Sequence, residues 1–172
     1  LFLPGAGEVR SKLDEGSWDL LISTDASDES RSGEVGRYGM SNSRTVVNLD
    51  HHATNTYFGD IHLVAPEAVS ATELVYLWWK HLGVTFDSAV AQALLLGLVT
   101  DTLGFRTSNV NAGTLKIAQE LMSAGASLTE ITARTLDRRT YAELNLWKHA
   151  LPSVEMAGQV LHATVRQNDL IA

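Results

Sequence analysis

Two short runs constrain this chain most: SWDLLISTD (17–25) and RTVVNLD (44–50). Each is apolar or β-branched at its centre, is too short for a buried helix and ends in an acid, which predicts a buried strand. DIHLVAP (60–66) is a third strand of this kind, closed by Pro66. The stretch 25–39 between the first two is rich in Ser, Gly and charge and reads as a loop with at most one helical turn. A short helix is expected over Glu8–Glu15, stopped by Gly16.

After Pro66 the period changes from two to that of a helix. Ser70 and Glu73 have the spacing of a capping box, and the helix they open runs to Gly83. DSAVAQALLLGLVTDT (87–102) is apolar nearly all round and predicts a deeply buried helix. NAGTLKIAQELMSAG (111–125) is amphipathic, with Leu115, Ala118, Leu121 and Met122 on one side. SLTEITARTL and RRTYAELNLWKHAL predict two more helices, and 158–169 alternates like an edge or hairpin strand with Val160, His162, Thr164 and Arg166 on one face. Strands joined by long helical segments define an α/β class: a parallel sheet with flanking helices. Ligands of such sheets gather at the carboxyl ends of the strands.

Composition narrows the chemistry. The 172 residues suffice for one domain, or one domain with part of another. No apolar run is long enough to span a bilayer. The start lacks a basic leader pattern, and the missing Met suggests that the sequence begins inside a longer product. With no cysteine, any metal must be held by His and carboxylate, and a reducing cytoplasm is the expected setting. The net charge of −7 speaks against non-specific binding of long duplex DNA. It leaves room for an anionic substrate met through a divalent cation.

Three segments run out into an acid: LLISTDASD with Asp25, VVNLDHH with Asp50, His51 and His52, and LLLGLVTDTLGF with Asp101. Strand ends of a parallel sheet share one rim, so Asp25 and the histidines can converge. Singly, each has an ordinary reading: a turn or cap aspartate, a surface histidine, a helix-closing Asp101 between two threonines. Adjacent side chains of an extended segment point to opposite faces, so one imidazole can face a metal while the other faces substrate or core.

The segment NLDHHATN (48–55) resembles the signature of the DHH phosphoesterases, the RecJ-like superfamily of exonucleases, oligoribonuclease/pAp-phosphatase enzymes, cyclic dinucleotide phosphodiesterases and family II pyrophosphatases. STDASD (23–28) is similar to that family's second motif and GLVTDTLGFRTSN (97–109) to its fourth, while PEAVSATELVY (66–76) looks like the oligoribonuclease branch. The resemblance implies a DHH-type domain over 1–135, a linker helix over 136–156 and the start of a small C-terminal substrate-binding α/β domain over 157–172. It implies Asp25, His51 and Asp101 as metal ligands and His52 as the catalytic group facing phosphate. Asp50 would orient a histidine from behind, and Asn55 and Arg106 would either assist substrate binding or serve structure, through loop hydrogen bonds or a surface salt bridge. Two Mn²⁺ or Mg²⁺ ions would activate a water for attack on a short nucleotide: an oligoribonucleotide, pAp or a cyclic dinucleotide.

The family's first motif, a His followed by Asp-x-Asp at the end of a preceding strand, has no counterpart in residues 1–24, whose acids are Glu8, Asp14, Glu15 and Asp19. Its glycine-rich, His-containing C-terminal loop has none before Ala172. The chain is therefore expected to be an N-terminally truncated piece with part of the ligand set and little activity of its own. An uncovered strand edge makes homodimerisation an expectation. The competing reading is a non-catalytic nucleotide-binding or interaction module on a phosphoesterase scaffold.

Overall fold

The computed structural model describes residues 3–13 and 15–167. β1 (Trp18–Thr24), β2 (Ser43–Asp50) and β3 (Ile61–Val64) form a parallel sheet in the order β1-β2-β3. Leu20 pairs with Thr45 and Val47 with Ile61. The middle strand is the buried one: Val46 to Asp50 are all inaccessible, as a strand covered on both faces requires.

β1 departs from the buried strand the sequence predicts. Leu20 is 50% and Ile22 42% exposed, because β1 pairs on one side only, with β2, and these two side chains share a face that no described element covers. The stretch after Asp25 is also more ordered than a loop. A 3-10 turn (Glu29–Ser32) leads into α1 (Gly33–Ser41), which crosses from β1 to β2. Glycine content hid this helix, yet Gly39 is there for packing: a Cβ at that position would meet Leu21 Cδ1 at 2.5 Å. Conversely, the expected helix over Glu8–Glu15 is reduced to a 3-10 turn at Ala6–Glu8, with irregular chain over residues 9–13 and residue 14 outside the described set. Val9 is 76% exposed, and a short helix that buries no apolar face is marginal in water.

α2 (Ala71–His81), α3 (Ser88–Asp101) and α4 (Ala112–Ser123) complete the core. Ser70 caps α2 by accepting from the Glu73 N–H, but Glu73 Oε2 reaches back one residue further than a capping box, to the Val69 N–H at 2.8 Å. α3 is the central helix, with Leu95, Leu98 and Val99 fully buried. It lies so close to α2 that a Cβ on Gly97 would meet Thr72 Cγ2 at 2.3 Å. The buried side of α4 is Thr114, Ile117, Ala118 and Leu121. Leu115 and Met122, expected on that side, are about half exposed, because the face that packs on α2 and α3 is the one carrying Thr114, Ile117, Ala118 and Leu121. Tyr76 Oη and Lys80 Nζ of α2 both donate to Glu120 Oε2 of α4, at 2.5 and 2.7 Å.

The chain divides into two compact units, Leu1–Thr132 and Ala133–Ala172, the division falling within α5 (Leu128–Thr135). The second holds α6 (Tyr141–Ala150) and an antiparallel hairpin of β4 (Glu155–Ala157) and β5 (Val160–His162). The strand expected over 158–169 is thus confined to three residues, and its last two positions lie outside the described residues. No helix among the described residues is long and apolar enough to cross a membrane.

Candidate metal centre

The carboxyl rim of the sheet receives three loops. Asp25 follows β1 in left-handed conformation, φ 59°, its N–H donating to the Leu49 carbonyl at 3.0 Å, which pins it beside the end of β2. His51 and His52 follow β2, and Asp101 is the last residue of α3. Thr102 fixes the turn behind Asp101: its buried Oγ1 donates to the Leu98 carbonyl at 2.7 Å and accepts from the Phe105 N–H at 2.9 Å.

These side chains meet. His51 Nε2 lies 3.4 Å from Asp25 Oδ1 and 3.8 Å from Asp101 Oδ2, and His52 Nδ1 lies 3.9 Å from Asp25 Oδ1. The two imidazoles do not point to opposite faces as strand alternation predicts. Their centroids are 4.8 Å apart and both look toward Asp25, because the strand, and its alternation with it, ends at Asp50.

Hydrogen bonding decides what each ring offers. His51 Nδ1 faces the Ala68 carbonyl at 3.3 Å; a carbonyl can only accept, so Nδ1 carries the hydrogen and a neutral ring presents its Nε2 lone pair to the two carboxylates. A metal ion shared by Nε2 and the two carboxylates would satisfy all three groups at once. Donor atoms roughly 2.0–2.2 Å from a shared ion lie about 3–3.6 Å apart, close to the separations here. Asp25, His51 and His52 each bring a ligand atom within 4.8 Å of the others, with Asp101 3.8 Å from His51, and oxygen and imidazole donors without sulfur suit Mn²⁺ or Mg²⁺, so these residues fit such a group.

His52 is held differently. Its Nδ1 donates to Asp50 Oδ1 at 2.7 Å, leaving Nε2 free to carry a proton outward. Asp50 therefore orients His52, while a backbone carbonyl orients His51. Asp50 is wholly buried, which by itself raises its carboxyl pKa. Hydrogen bonds from His52 and Asn55 and from the His51 N–H more than offset that and hold it below the usual carboxylate range. Asp101 moves the other way: burial, then the Asp25 charge, push it up against the pull of both imidazoles.

Asn55 takes the loop hydrogen-bonding place that is the alternative to substrate binding for it. It is buried, with Nδ2 donating to Asp50 Oδ2 (2.6 Å) and Oδ1 accepting from Asn48 Nδ2 (3.1 Å) and the Tyr57 N–H (2.6 Å). It positions the residues that position His52. Arg106 is exposed on the turn beyond Asp101, its Nε donating to the Leu103 carbonyl at 2.5 Å. Asn48 and the Ala68 carbonyl escaped sequence reasoning. The first left a signal, an amide inside the apolar run VVNL; the second, a backbone atom, left none.

The four non-glycine residues with left-handed backbone among those described are Asp25, Tyr57, Leu103 and Phe105, and all lie in the three loops that carry this cluster. Such backbone costs free energy and persists where the surroundings enforce it, often at functional sites.

A parallel α/β domain with a carboxylate–imidazole cluster on its carboxyl rim is the class that fold and site define. No protein-family model matches the sequence. The bifunctional oligoribonuclease and PAP phosphatase NrnA of Thermus thermophilus is 35% identical over 136 residues, 77% of this chain and 40% of that protein. A probable manganese-dependent inorganic pyrophosphatase of Streptococcus agalactiae is 30% identical over 105 residues, 56% of this chain and 34% of that protein. An exopolyphosphatase-related protein from Bacteroides fragilis, known from a crystal structure, shares the fold with a TM-score of 0.74 at 23% identity, over 81% of this chain and 42% of that one. The chain belongs to the DHH, RecJ-like phosphoesterase superfamily. It spans less than half the length of each of these relatives.

Proposed function

We propose that the chain carries part of the active centre of a metal-dependent phosphoesterase acting on short nucleotides, oligoribonucleotides or PAP-like bisphosphates in particular. The observation that carries this reading is the approach of His51 Nε2 to Asp25 at 3.4 Å and to Asp101 at 3.8 Å, with His52 alongside. Asp25, His51 and Asp101 would hold the ion, Mn²⁺ or Mg²⁺; the name of the Streptococcus relative specifies manganese. When bound, one or two such ions supply charge stabilisation for the phosphoryl oxygens and a water that ionises near neutral pH. His52, its ring fixed by Asp50 through Nδ1, would turn Nε2 to the leaving oxygen and assist its proton transfer. Arg106 keeps its terminal nitrogens for a phosphate. Absence of cysteine fits a reducing, cytoplasmic setting.

Three donors around one ion are few, so turnover by this chain alone should be weak. Purified protein is incubated with Mn²⁺ and either a short oligoribonucleotide or 3′-phosphoadenosine 5′-phosphate, and product is followed by chromatography. Slow, Mn²⁺-dependent release of mononucleotide or phosphate that a chelator abolishes is expected. Binding of Mn²⁺ and nucleotide with no release under any condition would favour a binding module instead.

The uncovered face of β1 also supports self-association of two copies through Leu20 and Ile22. Light scattering coupled to gel filtration should give a dimer mass that Leu20→Lys shifts to monomer. A wild-type monomer at tens of micromolar would remove this proposal.

A further inference from the structure

Three of the four left-handed residues have a stated place: Asp25 is in the cluster, and Leu103 and Phe105 form the turn that Thr102 locks behind Asp101. Tyr57 has none. It is 53% exposed at φ 55°, a conformation that costs a tyrosine more than it would glycine or asparagine. Its N–H donates to Asn55 Oδ1, and Asn55 Nδ2 donates in turn to Asp50 Oδ2, so a single buried side chain links the tyrosine backbone to the carboxylate that orients His52.

The ring is fixed as well. It stands at 87° to the His62 ring with centroids 5.9 Å apart, and His62 is itself held by its Nε2 against the Gly59 carbonyl at 3.1 Å. In a perpendicular pair, either the His62 edge meets one Tyr57 face or the Tyr57 edge meets a His62 face. Both cases leave at least one face of Tyr57 clear of His62. An exposed phenol ring held in place by its backbone and an edge contact is a preorganised stacking surface, and planar bases stack on such rings without regard to their sequence.

We propose that Tyr57 is a specificity-determining residue whose open face stacks the nucleobase of a substrate whose phosphate sits at the Asp25–His51–Asp101 cluster. This rests on the phosphoesterase reading and adds to it a reason for nucleotides to be preferred over base-free phosphoesters.

The test uses the full chain with Mn²⁺ and two probes: 2-aminopurine riboside 5′-monophosphate, whose fluorescence is quenched on stacking, and ribose 5-phosphate, which has no base. The variants are Tyr57→Asn, which suits left-handed backbone and removes the ring, and Tyr57→Phe, which keeps the ring. Wild type and Tyr57→Phe should bind the aminopurine nucleotide with quenching. Tyr57→Asn should bind it about 5- to 150-fold more weakly with the quenching lost. All three should bind ribose 5-phosphate alike. Equal affinity and quenching in Tyr57→Asn would overturn this assignment and leave the phosphoesterase reading standing. A wild type that binds neither probe in Mn²⁺ overturns both.

Discussion

Exchanging Asp101 for asparagine should weaken Mn²⁺ binding by a factor of about 10–100 or more while leaving the metal-free protein no less stable. The two halves of this expectation have one cause. Burial and the neighbouring Asp25 charge already raise the Asp101 pKa, so the ionised carboxylate is disfavoured in the metal-free fold. Asparagine keeps the shape and drops the charge that is repelled. The same charge, 3.8 Å from His51 Nε2, is what draws a cation, and loss of even an outer partner of a metal ligand commonly costs 10- to 100-fold in affinity. Isothermal titration with Mn²⁺ reads the first half, and thermal unfolding with and without Mn²⁺ reads the second. The metal-free melting temperature should hold or rise, and the metal-induced increase should shrink. An Asp101→Asn protein that binds Mn²⁺ as wild type does would remove Asp101 from the ligand set.

Asp50→Ala should be the most damaging single change to the fold near this site, costing about 3–5 kcal/mol. Asp50 is fully buried and receives His52 Nδ1 and Asn55 Nδ2 on separate oxygens. Removing it leaves the buried Asn55 amide without its partner and releases the partly exposed His52 ring. Asn55 then loses its strongest contact, and with it Asn48 and the Tyr57 backbone lose a fixed partner. Asp50→Asn is informative beside it. The amide can accept from one of the two donors but presents N–H to the other, so a loss of about 1–3 kcal/mol is expected. Urea unfolding of the three proteins gives the ranking. If Asp50→Ala unfolds within 1 kcal/mol of wild type, the buried chain from Asn48 to His52 is not the support described here.

Much of the site could be read before any coordinates because its residues sit where short apolar segments stop. Asp25, Asp50 and Asp101 each follow residues whose burial is dictated by hydrophobicity, and a parallel sheet brings such ends to one rim. The orientation of the groups was not legible. Whether His51 or His52 turns to the carboxylates depends on which hydrogen-bond acceptor each Nδ1 finds, and the Ala68 carbonyl lies seventeen residues from His51 in sequence. Which of its two readings Asn55 follows is not legible for a similar reason: a polar residue in a polar loop gives no sign of burial until its partners are known. In the fold, α1 was hidden by its glycines, of which Gly39 serves close packing against Leu21, and the exposed face of β1 by the assumption that an apolar strand is covered on both sides. Neither pattern is distinguishable from its alternative by local residue type alone.

The link from β2 to β3 is short for a parallel connection, which commonly needs a dozen or more residues and a helix. Residues 51–60 return the chain with neither, closing when the Asp60 carboxylate and N–H engage Val46, each at 2.8 Å. His51, His52, Asn55 and Tyr57 all fall inside this span, so the stretch that bears the chemistry also sets where β3 begins. One residue added or removed there would have to be absorbed by shifting β3 against β2 or by breaking the Asp60 pairing. At its exposed positions Ala53, Thr54 and Tyr57 the segment should therefore accept changes of side chain far more readily than changes of length, unlike an ordinary surface loop. Diversification of this protein has room in what Tyr57 and its exposed neighbours Ala53 and Thr54 are, and little in how many residues stand between them.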